Sequence, residues 1–336
     1  MANISSSSTS LLTEAPSDIT EFAEAHIDMN KRLNLYTPTS PNDDTVDFLR
    51  QVFQQLPGDG KLNLALDIRN CLWGKTALVT PNPRFGFDDS VDDLASLDLE
   101  STSREPRLRT ECLRRDGRSC VITGVSDVDN PIPGSITGVL EAAHILPFAL
   151  GSYRNETESL RNCLIWTNIF RFFPSLRSRL GFMSDDINRI DNVMMLLQTI
   201  RYEFGRFHIS LAATDTENTY TIKTFRGMPT MCNFFLPPNG QVVLTSHDDR
   251  YKLPHPILLQ VHNAVAHILH LTGRGEKAEK LQREYEDAQS LAPGGGSDVE
   301  SLLAFSSLGV LASAETGNRQ RRREVGREET SSKERE

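Results

Sequence analysis

Hydrophobic residues near the start of the chain recur with a helical period. The stretch 17–36 places its apolar residues three and four positions apart, and Ser17 or Asp18 can serve as its N-cap. The same period recurs in 43–57, where Pro57 ends it. These patterns predict two helices, with a third around 60–73.

The middle of the chain combines helical and β-branched patterns. Arginine and leucine alternate at helical spacing over 104–118, and "SCVITG" (119–124) is a short β-branched run that ends in glycine. A loop rich in Pro and Gly (125–138) leads to the apolar run "VLEAAHILP" (139–147). We therefore predict a helix followed by a hairpin of two strands with a long loop.

The second half alternates between longer elements. A helix is predicted over 157–180 with a break at Pro174, and 184–211 is predicted to pass from a polar turn into a helix that Asp191 and Asn192 open, and then into a strand. Further strands are predicted at 219–225 and 241–247, followed by an amphipathic helix at 254–273. The order of elements predicts an α+β protein.

Composition divides the chain into regions. Residues 1–17 are rich in Ser and Thr and are predicted to be disordered, and 81–103 is an acidic linker after a helical region of 18–80. The main domain is predicted at 104–290, before a low-complexity charged tail at 291–336. Within that tail, "RQRRRE" is either a nuclear import patch or part of a solvated end.

Targeting signals and cysteine usage suggest where the protein acts. The chain has no apolar run of about 18 residues, and its first residues lack a basic segment followed by an apolar one. Its five cysteines are scattered and form no C-x-x-C pair, which is typical of buried or free thiols in a reducing compartment. We expect an intracellular protein of the nucleus or cytoplasm, with no membrane partner.

Charge is unevenly distributed along the sequence. Residues 1–103 hold 7 Lys and Arg against 16 Asp and Glu, which accounts for the whole net charge of −9. The run 104–120 is instead basic, with six arginines against three acids. Arg114, Arg115 and Arg118 are therefore candidates for nucleic-acid phosphate contacts, although such a run also suits a solvated helix face.

Three segments carry a family resemblance. "RDGRSCVITG", "LEAAHILPF" and "IDNVMMLLQTIRYEFGRF" resemble the HNH endonuclease family, in particular its branch in filamentous fungi. The similarity extends over roughly 104–290. It implies a ββα-metal (His-Me finger) core with extra strands and flanking helices, and metal-dependent hydrolysis of nucleic-acid phosphodiesters.

The resemblance also implies roles for individual residues. His144 matches the general base, and Asn192 matches the residue that binds the metal or holds the base in place. The implied cofactor is a divalent cation, Mg or Mn with Zn as a further alternative, and the implied partner is DNA, with RNA as the alternative. Arg201 stands where the family has a metal-binding histidine, and a guanidinium has no lone pair to donate. Ala143 replaces a carboxylate that often precedes the base, and Glu141 is not a clean substitute, because it shares a strand face with Ala143 and not with His144.

Three hypotheses follow from this departure. In the first, the nuclease is active but weakened, with Asn192 supported by Asp191 or His208 as metal ligands and with Arg201 on the scissile phosphate. In the second, the fold is catalytically inactive and binds nucleic acid or a protein. The third is a pure interaction scaffold. His208 also suits a structural position on the solvent side of a strand, and the histidines of 254–273 suit a helix surface. The aromatic residues of 166–173 suit a core better than a base-stacking platform.

Overall fold

The computed structural model describes residues 15–38, 43–70, 106–151 and 156–271. The helices are α1 (Ile19–Leu35), α2 (Thr45–Gln55), α3 (Gly58–Asn70), α4 (Pro106–Arg115), α5 (Glu156–Phe172), α6 (Ser175–Ser178), α7 (Gln198–Gly205) and α8 (Pro256–Leu271). The strands are β1 (Ser126–Asp127), β2 (Thr137–Gly138), β3 (Leu140–His144), β4 (Val193–Leu197), β5 (Ile209–Ala213), β6 (Thr219–Thr224) and β7 (Gln241–Val243). The mixed α+β class is confirmed, whereas the predicted linker, the charged tail and Cys71 lie outside the described residues.

The three predicted N-terminal helices are present. Asp18 caps α1, since its carboxylate accepts the backbone N–H of Glu21 at 2.8 Å. Asn63 of α3 donates to the carbonyl of Arg171 on α5 at 2.6 Å, and Asp67 pairs with the Arg171 guanidinium. These contacts join the helical N-terminal region to the rest of the described chain.

The central hairpin differs from the prediction. β3 pairs antiparallel with β4, so that Leu140 lies opposite Leu197 and His144 lies opposite Val193. The predicted partner strand, 119–124, instead forms a turn in which the Gly124 N–H donates to the Cys120 carbonyl at 2.9 Å. Gly124 has a φ of 72°, a backbone conformation that glycine tolerates and that ends an extended run.

The predicted start of the next helix, at Asn192, was also wrong. Asn192 ends a 3₁₀ turn (Ile190–Asn192), and the five apolar residues that follow it form β4, all of them buried. Helix α7 begins only at Gln198. Strand β4 therefore stands between the 3₁₀ turn and helix α7.

The predicted strands after α7 form a small sheet. β5, β6 and β7 are neighbours in antiparallel order, and α8 packs against β5. The buried Ser210 hydroxyl donates to the Asn263 side chain of α8 at 2.8 Å. The break predicted at Pro174 is confirmed, because it separates α5 from α6.

A buried ion pair lies at the junction of these elements. Arg115, the last residue of α4, is fully buried and contacts the adjacent Asp116 carboxylate at 2.6 and 2.9 Å. Its guanidinium also donates to the carbonyls of Ile190, Val193 and Lys252. The pair therefore fixes α4 to the hairpin and to the segment before α8.

The described residues include helices that can be assessed for membrane crossing and four of the five cysteines. No helix among them is long and apolar enough to cross a bilayer. Cys112, Cys120, Cys163 and Cys232 are free thiols. Burial raises the pKa of Cys112 to about 12, so this thiol is protonated at neutral pH and is a poor nucleophile.

Candidate functional site

His144 ends strand β3 at the edge of the hairpin. Its side chain is 9% exposed, and its Nε2 lies 3.0 Å from the Oδ1 of Asn188. Because an amide oxygen only accepts hydrogen bonds, Nε2 carries the proton in this contact, and the lone pair of the neutral ring is then on Nδ1. Phe148 lies beside the ring at a centroid distance of 5.4 Å.

The buried side chain of Asn192 forms hydrogen bonds with both ends of the segment that joins β3 to β4. Its Oδ1 accepts the Leu146 N–H at 2.9 Å, and its Nδ2 donates to the carbonyls of Leu146 and Ile187 at 3.2 and 2.8 Å. Leu146 follows the strand that carries His144, and Ile187 precedes Asn188. Asn192 therefore holds together the two chain segments that supply His144 and its partner.

The hydrogen bonds of the Asn192 side chain predict an effect on the stability of the fold. Replacing Asn192 with leucine leaves one N–H and two carbonyls buried without their partner, which we expect to lower the free energy of unfolding by about 2–4 kcal/mol in urea denaturation. Asn188→Ala is the matched control, because Asn188 is exposed and water can replace its contact. Equal stability of Asn192→Leu and the wild type would contradict the inference that Asn192 holds the two segments together.

Asp191 is engaged by an arginine. Its buried carboxylate accepts two hydrogen bonds from the Arg189 guanidinium, at 3.0 and 2.6 Å, and these bonds raise the pKa of Arg189. The Asp191 carbonyl accepts the N–H of His255 at 2.9 Å, just before α8. Asp191 thus links the 3₁₀ turn before β4 to the start of α8.

Arg201 lies on α7 and faces strand β3. Its Nε is 3.7 Å from Oε2 of Glu141, and the two side chains are 15% and 25% exposed. Gln198, one turn earlier on α7, donates to Oε1 of the same carboxylate at 3.2 Å. The guanidinium is therefore held by an acidic residue of the hairpin.

His208 lies at a separate place in the fold. It is buried just before β5, and its Nδ1 is 2.6 Å from Oε2 of Glu203. Gly227 packs against the other side of the ring, since a Cβ at Gly227 would lie 2.8 Å from Nε2 of His208. The predicted solvent-side position on a strand was therefore wrong, because the ring is buried and precedes β5.

The three candidate arginines of the basic run differ in position. Arg114 and Arg118 are exposed, and they are accessible to a phosphate. Arg115 is fully buried, with its donors used by Asp116 and by backbone carbonyls. A nucleic-acid phosphate cannot reach Arg115 without unfolding this junction.

The aromatic cluster and the α8 histidines contribute mainly to packing. Trp166 is buried and donates from its ring nitrogen to the Leu150 carbonyl at 3.0 Å, in agreement with a core position. The helix-surface interpretation was wrong for His262, which is buried and stacks on Phe204 at 3.8 Å and on Phe207 at 4.6 Å. Burial lowers the pKa of His262 to about 3.

The partners of the candidate residues were not predicted from the sequence. Asn188, Arg189 and Glu203 engage His144, Asp191 and His208, and none was singled out. Glu141 was noted only for sharing a strand face with Ala143. The polar run 184–192 indicates a turn, and nothing in its pattern distinguishes the residues that point back at the hairpin.

The described residues do not form a ready metal site. Among them, no group of three or more His, Cys, Asp or Glu side chains is arranged to hold an ion. Asp191 is bound by Arg189, His208 lies against Glu203, and the Asn192 oxygen accepts a backbone N–H. The candidate ligands are thus each engaged in a different contact.

Comparison with known proteins identifies the class of this region. Residues 120–212 match the family model of the HNH endonuclease, so the chain contains an HNH endonuclease domain over this segment, as the motifs predicted. The match includes His144, Asn192 and Arg201, and domains of this family typically use a divalent metal and act on nucleic acid. No curated protein and no solved structure matches the chain.

Proposed function

We propose that the HNH domain of this protein has a ββα-metal fold and binds nucleic acid without metal-dependent cleavage. The observation that carries the proposal is the Arg201–Glu141 pair, because it places a cation where the family resemblance implies a metal-binding histidine. A guanidinium donates no lone pair, so Arg201 cannot replace that histidine as a metal ligand.

The remaining candidate ligands do not fit a divalent cation. Mg and Mn prefer oxygen ligands with free lone pairs in an open site. The Asp191 carboxylate is already neutralised by Arg189, and Asn192 is fully buried among backbone groups. Zn would require several nitrogen or sulfur ligands, and His208 is paired with Glu203 far along the chain from His144. A metal would have to break one of these contacts to bind.

A weakened metal-dependent endonuclease is the second candidate function. One observation favours it: His144 stands at the end of strand β3, and the contact of its Nε2 with Asn188 Oδ1 at 3.0 Å orients the ring as a general base requires. In that hypothesis His144 is the base and Arg201 contacts the phosphate. Cleavage assays separate the two functions.

The cleavage test uses the purified full chain and supercoiled plasmid with Mg or Mn. We expect no nicking above that of His144→Ala, and no effect of EDTA, because the site lacks a metal ligand set. Nicking by the wild type that both EDTA and His144→Ala abolish would reject the proposal. In Arg201→His, a gain of nicking would show that the arginine blocks the reaction, whereas loss of a wild-type activity would show that the arginine takes part in it.

The binding test uses a fluorescein-labelled DNA duplex and its RNA counterpart in anisotropy titrations over a range of salt concentrations. Arg114 and Arg118 are exposed, and if each neutralises one phosphate, the double variant Arg114→Gln/Arg118→Gln lowers the salt slope of the affinity by about 2. Arg107→Gln is the matched control, since this exposed arginine of α4 already pairs with Glu111. A slope equal to that of the wild type would remove the two arginines from the interface.

A further inference from the structure

The junction between α7 and β3 combines an apolar contact with one polar link. Ile200 and Phe204 of α7 are fully buried beneath the helix. At its edge, Arg201 and Gln198 both contact the carboxylate of Glu141, at 3.7 and 3.2 Å. Glu141 is the only acidic residue of β3, and two residues of α7 converge on it.

The position of Glu141 on the strand explains why it reaches α7. Side chains alternate between the two faces of a strand, so Glu141 shares its face with Ala143 and not with His144. Ala143 and Arg201 are the two positions at which the family resemblance implies a carboxylate and a histidine for the metal. The Glu141–Arg201 ion pair therefore links the strand face that carries Ala143 to the helix position of the replaced histidine. Glu141 lies two residues before Ala143.

We infer that the Glu141–Arg201 pair, steadied by Gln198, replaces a metal ion as the link between strand β3 and helix α7, so that this unit folds without metal. A bound metal that needs folded ligands contributes its binding free energy to folding. A protein that has lost such ligands must hold the helix by other contacts. Opposite charges that are only 15% and 25% exposed are screened less than a surface pair.

The inference extends the proposed function but can fail separately, because its test measures stability and not cleavage. Thermal unfolding of the full chain is recorded in EDTA and in excess Mg, Mn or Zn. The expected melting temperatures agree within about 1 °C, as for a fold with no metal bound. A fall in Tm caused by EDTA, or a rise of several degrees with one of the metals, would overturn the inference.

Variants of the pair provide the second measurement. We expect Glu141→Gln and Arg201→Gln each to lower Tm by about 2–4 °C, and the double variant to lower it no further than the larger single change. The exchanged pair Glu141→Arg/Arg201→Glu is expected to recover at least half of the loss. Effects of the two single changes that simply add would overturn the inference.

A matched pair on α4 controls for general charge effects. Arg107 and Glu111 form a 2.9 Å ion pair one turn apart on the same helix, and Arg107 is 85% exposed. Arg107→Gln and Glu111→Gln are expected to change Tm by less than about 1 °C, since exposed pairs contribute little. A control shift as large as that of the Glu141–Arg201 variants would likewise count against the inferred link.

Discussion

Replacing Arg115 with methionine is expected to lower the free energy of unfolding by about 3–5 kcal/mol, because it removes one partner of a fully buried ion pair. Among the described residues, the Met195 N–H at 2.9 Å would be the remaining hydrogen-bond donor to the buried Asp116 carboxylate. The carbonyls of Ile190, Val193 and Lys252 would each lose the hydrogen bond that the Arg115 guanidinium donates. Urea denaturation at neutral pH measures the change.

Two further variants test the physical cause of that loss. Arg114→Met is the matched control, since Arg114 is the exposed neighbour on the same helix and its loss should change stability by no more than about 0.5 kcal/mol. Arg115→Met/Asp116→Asn removes the unpaired charge, so it should be less destabilised than the sum of its single changes. An Arg115→Met protein within about 1 kcal/mol of the wild type would show that the junction does not depend on the pair.

The position of Arg115 could have been predicted from the helical period. Leu108, Cys112 and Arg115 are spaced four and three residues apart, so they share one face of α4, and all three are buried. The sequence analysis grouped Arg115 with Arg114 and Arg118 by charge alone. Periodicity assigns an arginine to a core face more specifically than the count of positive residues does.

The hairpin illustrates what local patterns leave undetermined. The α1 and β6 elements have clear periods, and the structure has them within two residues of the predicted bounds, whereas β7 begins at the predicted residue but ends at Val243 instead of 247. The run Val193–Leu197 is short and apolar throughout, so its pattern fits a buried strand as well as a helix. Its pairing with β3 across the intervening α5 and α6 depends on tertiary packing, which the local pattern does not encode.

In the candidate site, the motifs likewise identify the residues but not the groups that these residues contact. The motifs correctly singled out a family whose domain covers His144, Asn192 and Arg201. The contacts of these residues with Asn188, Leu146 and Glu141 depend on how the segment between β3 and β4 folds back. A sequence with identical motifs and different partners would have a different capacity for metal binding, which is why the motif alone does not fix the chemistry.

Replacing His262 with phenylalanine is expected to make the protein less sensitive to acid. Burial lowers the pKa of His262 from 6.5 to about 3 in the folded state, so the unfolded chain binds a proton that the folded chain excludes. Stability is therefore fully present above about pH 6.5 and is lost as the pH falls toward 3. Relative to the variant, the wild type should lose about 2–3 kcal/mol between about pH 6 and about pH 4.

Phenylalanine suits this test because the site is already aromatic and needs little from the histidine nitrogens. His262 stacks between Phe204 and Phe207, and its Nδ1 is buried without a hydrogen-bond partner. Its Nε2 contacts the Phe204 carbonyl, which keeps the Phe207 N–H at 3.0 Å when the imidazole is removed. Folding should therefore survive the substitution at neutral pH.

Urea denaturation of both proteins at several pH values gives the difference in unfolding free energy directly, and groups common to both proteins cancel. Burial also lowers the pKa of His255 and His267, so His262→Phe reduces the acid sensitivity of the protein without abolishing it. His262→Leu serves as a second variant, because it removes the titrating group without preserving the aromatic stack. If the wild type and both variants lost stability in parallel with falling pH, the proton would not be excluded at His262, and the acid sensitivity would have to come from other groups.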